Sequence, residues 1–183
     1  MPFKFEKTEL DGVILIKPMI YSDLRGIFFE GYKKSEFLAN SISDEFVQDN
    51  VSISHTHVLR GLHYQKGEFA QSKLVRCIKG RIFDVAVDLR PTSPNFKKHI
   101  RIELSEENQH ALYIPKGFAH GFVTLSETAI LNYKTDAEYN KNADSGIFWA
   151  DKDLNIDWGI DFDPIISDKD KQLPSFKEVH QWT

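Results

Sequence analysis

With a single cysteine, Cys77, among its 183 residues, the chain can form no internal disulfide. That excludes a disulfide-stapled secreted scaffold and leads to the expectation of a cytoplasmic protein. No apolar run approaches the ~20 residues that a membrane helix requires. The opening Met-Pro-Phe-Lys-Phe-Glu-Lys lacks the apolar centre of a secretion signal. Lysines and arginines form no blocks and the net charge is −4, so the basic field that a nucleic-acid polymer demands is missing. There is no Gly-rich turn of the dinucleotide-binding kind, no internal repeat and no low-complexity tract.

What is present is a sizeable core for one domain, residues 1–183, with 41% hydrophobic and 13% aromatic residues. Apolar residues recur with the period of two that marks strands. A first strand is expected across Leu10 to Met19, then a turn at Asp23-Leu24-Arg25-Gly26 and a strand from Ile27 to Glu30. Lys33 to Asn40 is the best helix candidate, short, with Ser35 as its cap. Further strands are expected at Val51–Ser54, Lys73–Ile78, Ile82–Leu89, Ile100–Leu104, Ala111–Ile114, Gly121–Leu125 and Ala129–Tyr133. Phe83, Val85, Val87 and Leu89 share one face. Short strands at regular spacing, separated by Gly, Pro and Asn turns, predict an all-β sandwich or jelly roll. Past Tyr139 the periodicity fades, and Asp, Asn, Trp and Pro predict loops and short helices wrapped on the barrel.

The stretch Val58-Leu-Arg-Gly-Leu-His-Tyr-Gln65 places an Arg, a His and a Gln inside a strand. Alternation puts Gly61, His63 and Gln65 on one face and Arg60, Leu62 and Tyr64 on the other. A polar face of that kind lines a ligand cavity in small barrels; the plainer reading is a surface strand with a solvated histidine. Lys73 and Tyr133 also stand on strands expected to face inward. Pro115-Lys-Gly-Phe-Ala-His120 resembles the second cupin motif, where the His is a metal ligand. The first motif would need a His-x-His pair, and His63-Tyr64-Gln65 lacks its second member. Gln is a poor ligand for a transition metal, so no metal is expected. A metal-free cavity with His, Lys and Tyr suits acid–base work: His accepts protons near neutral pH, Tyr can return one, and Lys can hold an oxyanion. Ser167-Asp-Lys-Asp170 offers carboxylates that a wrapped tail could bring to the histidine, although such runs are more often loop charges in water.

These stretches together resemble the dTDP-4-dehydrorhamnose 3,5-epimerases, which are cupin-like jelly rolls. The matches are Arg25-Gly26 through Glu30, Gln48-Asp49-Asn50, Val58 to Gln65, Lys73 to Arg76, Phe83 to Arg90, Ile114 to Phe122, Tyr133-Lys134 and Ser167 to Asp170, in family order over almost the whole chain. Ile27, Asp144 and Trp158-Gly159 depart from the family's usual Phe, Glu and Trp-Pro. The resemblance implies a cofactor-free epimerase acting on a dTDP-linked 4-keto-6-deoxy sugar at carbons 3 and 5. It implies His63 as base held by Asp170, Lys73 beside the ketone oxygen and Tyr133 as proton donor. It implies a binding set of Arg25, Glu30, Gln48, Asp49, Asn50, Arg60, His120, Tyr139, Asp144 and Lys169, with Arg60 on the diphosphate, Tyr139 on the base, and some residues given by a second subunit of a homodimer. Three other readings stay open: an epimerase of one centre only, a barrel that binds a nucleotide sugar without turning it over, and, for Arg25 and Glu30, an ordinary surface ion pair.

Overall fold

Short strands carry the chain, as the spacing of its apolar residues predicts, and the described residues form thirteen of them. The computed structural model describes residues 2–179. In chain order the strands are β1 (Phe3–Lys7), β2 (Ile14–Pro18), β3 (Tyr21–Asp23), β4 (Gly26–Phe28), β5 (Gln48–His55), β6 (Leu59–Gln65) and β7 (Lys73–Lys79). They continue with β8 (Arg81–Asp88), β9 (His99–Ser105), β10 (Ala111–Ile114), β11 (Phe118–Thr124), β12 (Thr128–Thr135) and β13 (Asp144–Gly146). Two short α-helices, α1 (Lys34–Ala39) and α2 (Asp168–Lys171), and a single 3-10 turn, Gly67–Phe69, complete the described elements. A six-stranded sheet, β1-β2-β10-β7-β12-β5, faces a five-stranded one, β13-β6-β11-β8-β9, and every pairing within them is antiparallel. This is the jelly-roll sandwich.

Alternation along the strands fills three layers. Between the sheets lie Val75 and Cys77 of β7, Ile82 and Ala86 of β8, Phe122 of β11 and Leu131 of β12. On the outer face of the six-stranded sheet, Leu74, Ala111 and Tyr113 are covered by Phe37 of α1 and by Ile42. On the outer face of the five-stranded sheet, Val85, Val87 and Leu89 pack with Ile147, Leu154, Trp158 and Phe176 of the wrapped C-terminal segment, and Phe83 lies against the same cluster. The face that alternation marks on β8 is therefore the outside of the barrel, sealed by the wrap. Full burial of each such side chain contributes about 1.5–3 kcal/mol, so the wrap is part of the core.

Several expectations shift. The first predicted strand is two pieces: Leu10 and Val13 are buried in a turn, and only β2 is extended. β1, which pairs with it, was not expected. The helix begins at Lys34 with Lys33 at its cap position and no side-chain cap, so Ser35 lies inside the first turn and does not cap it. β3 and β4 form a separate hairpin around the predicted Asp23–Gly26 turn, with Tyr21, Leu24, Ile27 and Phe28 exposed. No helix among the described residues is long and apolar enough to cross a membrane.

Candidate active site

One end of the space between the sheets is polar. The inward positions of β5 are Gln48, Asn50, Ser52 and Ser54, too polar to seal against the opposite sheet, and there the barrel opens into a cavity of about 570 Å³. Gln48, Asn50, Arg60, His63, Lys73, His120, Tyr133, Tyr139, Asp144, Lys169 and Asp170 all line it. Eleven of the fourteen residues expected at the site thus converge.

β6 delivers both His63 and Arg60, contrary to simple alternation. His63 pairs with His120 and Arg60 with Phe122, so three steps along β6 match two along β11. The bulge rotates Arg60 onto the inner face. Gly61 sits inside it with φ +132°, and a Cβ there would lie 2.6 Å from the Cα of Gly121; only glycine allows the strands so close. Arg60 donates from Nε to the Ser54 hydroxyl at 3.1 Å and makes no ion pair among the described residues, which leaves its guanidinium open to an anion.

The wrap supplies the carboxylate for His63. Ile165 bridges to Val58 in parallel, and its N–H donates to the His57 carbonyl at 2.8 Å. Ser167 then caps α2 by accepting the Asp170 N–H at 3.1 Å. Asp170, almost fully buried, accepts the Gly61 N–H at 3.2 Å and lies 2.7 Å from Nε2 of His63. Burial raises the Asp170 pKa, but the His63 hydrogen bond and field, the Gly61 N–H and Lys169 outweigh it, so the group is held below the ordinary carboxylate value. An ionised carboxylate only accepts. Nε2 therefore carries the proton and Nδ1 is the basic nitrogen of His63.

Tyr133 reaches the cavity from β12, on the sheet opposite His63. Burial raises its pKa, with Arg60 opposing, so it holds its proton. Lys73 is 8% exposed, with the His63 carbonyl as its nearest acceptor at 3.5 Å. Burial lowers its pKa to about 8, against the fields of Asp84 and Asp144. His120 is buried and its Nε2 lies 2.8 Å from Asp84; burial lowers its pKa, outweighing Asp84, which keeps the ring neutral at pH 7. At the rim, Asp144 takes both the Tyr139 hydroxyl at 3.1 Å and the Lys169 ammonium.

Three expected residues lie elsewhere. Asp49 points out of the sheet, because the inward phase of β5 belongs to Gln48 and Asn50, and it pairs with Lys134 at 2.7 Å. Arg25 is exposed on the β3–β4 hairpin and pairs with Asp23 at 2.6 Å. Glu30 follows that hairpin, 3.9 Å from Lys33. Neither Arg25 nor Glu30 lines this chain's cavity. Asp84 was missed by sequence reasoning; its signal is a lone charge in Ile82-Phe-Asp-Val-Ala-Val87, a run apolar on both phases. Gln65 uses its whole amide on backbone: Nε2 donates to Phe69 and Glu138 at 2.8 and 3.2 Å, and Oε1 accepts from Asn140 at 2.6 Å. It bolts down the loop that carries Tyr139, with its amide oxygen turned to the Asn140 N–H. No group of three or more His, Cys, Asp or Glu among the described residues is arranged to hold one.

Barrel and cavity together define a jelly roll with an acid–base site between its sheets. The family model described as dTDP-4-dehydrorhamnose 3,5-epimerase matches residues 7–178. The enzyme of that name from Methanothermobacter thermautotrophicus is 48% identical over 178 residues, 96% of each chain. The crystal structure of the Elizabethkingia anophelis enzyme superposes with a TM-score of 0.92 at 48% identity, covering 97% of this chain and 98% of that one. A Legionella pneumophila 3,5-epimerase in complex with dTDP-4-keto-L-rhamnose superposes with a TM-score of 0.94 at 40% identity, covering 97% and 95%. The chain belongs to the dTDP-4-dehydrorhamnose 3,5-epimerase family and is an epimerase.

Proposed function

We propose that the protein inverts carbons 3 and 5 of a dTDP-linked 4-keto-6-deoxyglucose, without cofactor or metal, as a step of dTDP-rhamnose synthesis in the cytoplasm. The observation that carries this reading is the division of labour between the sheets. A carboxylate-backed histidine stands on one and a protonated tyrosine on the other, with the cavity between them. A sugar ring lying in that cavity meets a base on one face and an acid on the opposite face, which is the requirement for inverting a carbon rather than returning its proton.

Nδ1 of His63 removes the proton next to the ketone, and Asp170 stabilises the imidazolium that forms. The electron pair moves onto the ketone oxygen, where the Lys73 ammonium holds the enolate. Tyr133 delivers a proton to the opposite face at carbon 5. Arg60, with no carboxylate partner among the described residues, binds the diphosphate in fork geometry. Tyr139, 56% exposed at the rim, stacks on thymine.

The working unit in this reading is a homodimer. The hairpin bearing Arg25 exposes Tyr21, Leu24, Ile27 and Phe28, and β5, an edge strand, exposes Val47, Val51 and Ile53 on or beside its outer face. Apolar surface of that extent on an edge strand and an arm is interface material. The arm then carries Arg25 and Glu30 to the neighbouring protomer's cavity mouth, which accounts for their distance from their own.

Proton NMR of the reaction in deuterated water tests the function. Deuterium should enter at carbons 3 and 5, and the product should be inverted at both. Wash-in at one carbon alone would make the protein a single-centre epimerase, and wash-in at neither would make it a binder.

A further inference from the structure

Asp84 is fully buried, yet only half satisfied. Its Oδ1 meets Nε2 of His120 at 2.8 Å, and its Oδ2 has no hydrogen-bond partner among the described residues. Lys73 is buried in the same polar end of the barrel and makes no ion pair among the described residues; its ammonium has only the His63 carbonyl, at 3.5 Å. A buried anion and a buried cation, each short of partners and not closed onto one another, cost stability. They also keep their fields pointed into the cavity. Asp84 is not needed to brace its strands: β8 and β11 already pair directly from Asp88↔Phe118 to Ile82↔Thr124.

We propose that Asp84 is a positioning residue for the epimerisation, acting through His120 and Lys73. By accepting from Nε2 it fixes the ring of His120 as the tautomer with a bare Nδ1, an acceptor for a sugar hydroxyl or for the Lys73 ammonium. By standing near Lys73 without a direct bridge it keeps the proton on that ammonium while leaving its N–H groups for the ketone oxygen. This inference rests on the reading of Lys73 as the enolate's partner. The groups that face Lys73 are Asp84 from β8, Asp144 from β13, His63 from β6, His120 from β11 and Tyr133 from β12. Asp84 and Asp144 are the two whose charge favours the ammonium, and Asp144 is already engaged by Lys169 and Tyr139.

Asp84→Asn keeps the shape and an acceptor for Nε2–H but removes the charge. The pH dependence of kcat, followed by deuterium wash-in, should show an alkaline limb near 8 in the wild type, where Lys73 loses its proton. Without the nearby anion the ammonium is easier to deprotonate, so in Asp84→Asn the limb should move to lower pH by about one unit or more. Activity at pH 8 should fall about fivefold or more, while dTDP binds within about twofold of wild type. An unchanged limb in an active, folded Asp84→Asn protein overturns the inference and leaves the function standing. A wild type that exchanges neither carbon overturns the function and the inference with it. Should the variant fail to fold, 15N spectra of the wild-type histidines decide: His120 should hold one tautomer, protonated at Nε2, from about pH 7.5 to 9, above the ordinary histidine range from which burial lowers it. Protonation of its Nδ1, or a titration in that range, refutes the assignment.

Discussion

Asp170→Asn isolates what the carboxylate contributes to the base. Asp170 is 2.7 Å from Nε2 of His63 and nearly fully buried, while the His63 side chain is 32% exposed. When His63 takes a proton it becomes a cation whose charge centre lies ~4 Å from that of the carboxylate. At an effective dielectric of ~20, two unit charges ~4 Å apart attract by about 4 kcal/mol. Water at the exposed part of the ring reduces this, leaving about 2–4 kcal/mol for the developing charge. That corresponds to a loss of about 30- to 1,000-fold in kcat. The amide adds a second defect, since its NH2 can donate to Nε2 and impose the opposite tautomer. Volume and the acceptor for the Gly61 N–H are kept, so dTDP should bind as in wild type. The assay is wash-in of solvent deuterium at carbons 3 and 5, read separately; both should slow together, because one base serves both. His63→Asn should abolish both. An Asp170→Asn protein within about fivefold of wild type would falsify the dyad. The Asp170 carboxyl is held below the ordinary carboxylate value, so the stability it adds is present above the unfolded value of ~3.9 and is lost only as the pH falls through the lower folded value.

Tyr133→Phe should still exchange the proton at carbon 3 but form little product inverted at carbon 5, with nucleotide affinity kept; doubly inverted sugar at the wild-type rate would make Tyr133 a cavity wall. Dialysis against a strong chelator should leave activity unchanged, and loss reversed by a single divalent metal would show that the cavity uses one. Gly61→Ala puts a Cβ 2.6 Å from the Gly121 Cα at φ +132°. Overpacking and backbone strain together should lower stability by about 2–5 kcal/mol, visible as a fall in the urea midpoint; an unmoved midpoint would mean that the bulge relaxes freely.

Period-two alternation carried most of the fold, because most strands bury at least one apolar face and a polar phase then marks the cavity, as on β5. It failed where a face was hidden twice over. Phe83, Val85 and Val87 mark one apolar face of β8, but the wrap gives that strand two buried faces, and Asp84 was lost between them. Alternation also failed at the bulge, where an extra residue sends Arg60 to the side opposite the one its position predicts. No local pattern encodes a bulge except a glycine in a strand, and Gly61 was that sign. Asp49 was read with its neighbours as one motif, although adjacent residues of a strand cannot share a face. The pairing of His63 with Asp170 was legible only through family resemblance, since nothing in a four-residue helix specifies a partner on a distant strand.

The dyad joins residues 107 positions apart, and that separation makes it a clock. The sheets can pair, the polar groove can form and Arg60 can turn inward before the segment carrying Ile165 and Asp170 docks against β6. A refolding chain should therefore regain turnover only once that segment, which also brings Lys169 to the cavity, has docked. Enzyme activity sampled during refolding thus reports the arrival of the chain's last cavity-lining segment rather than the pairing of the sheets.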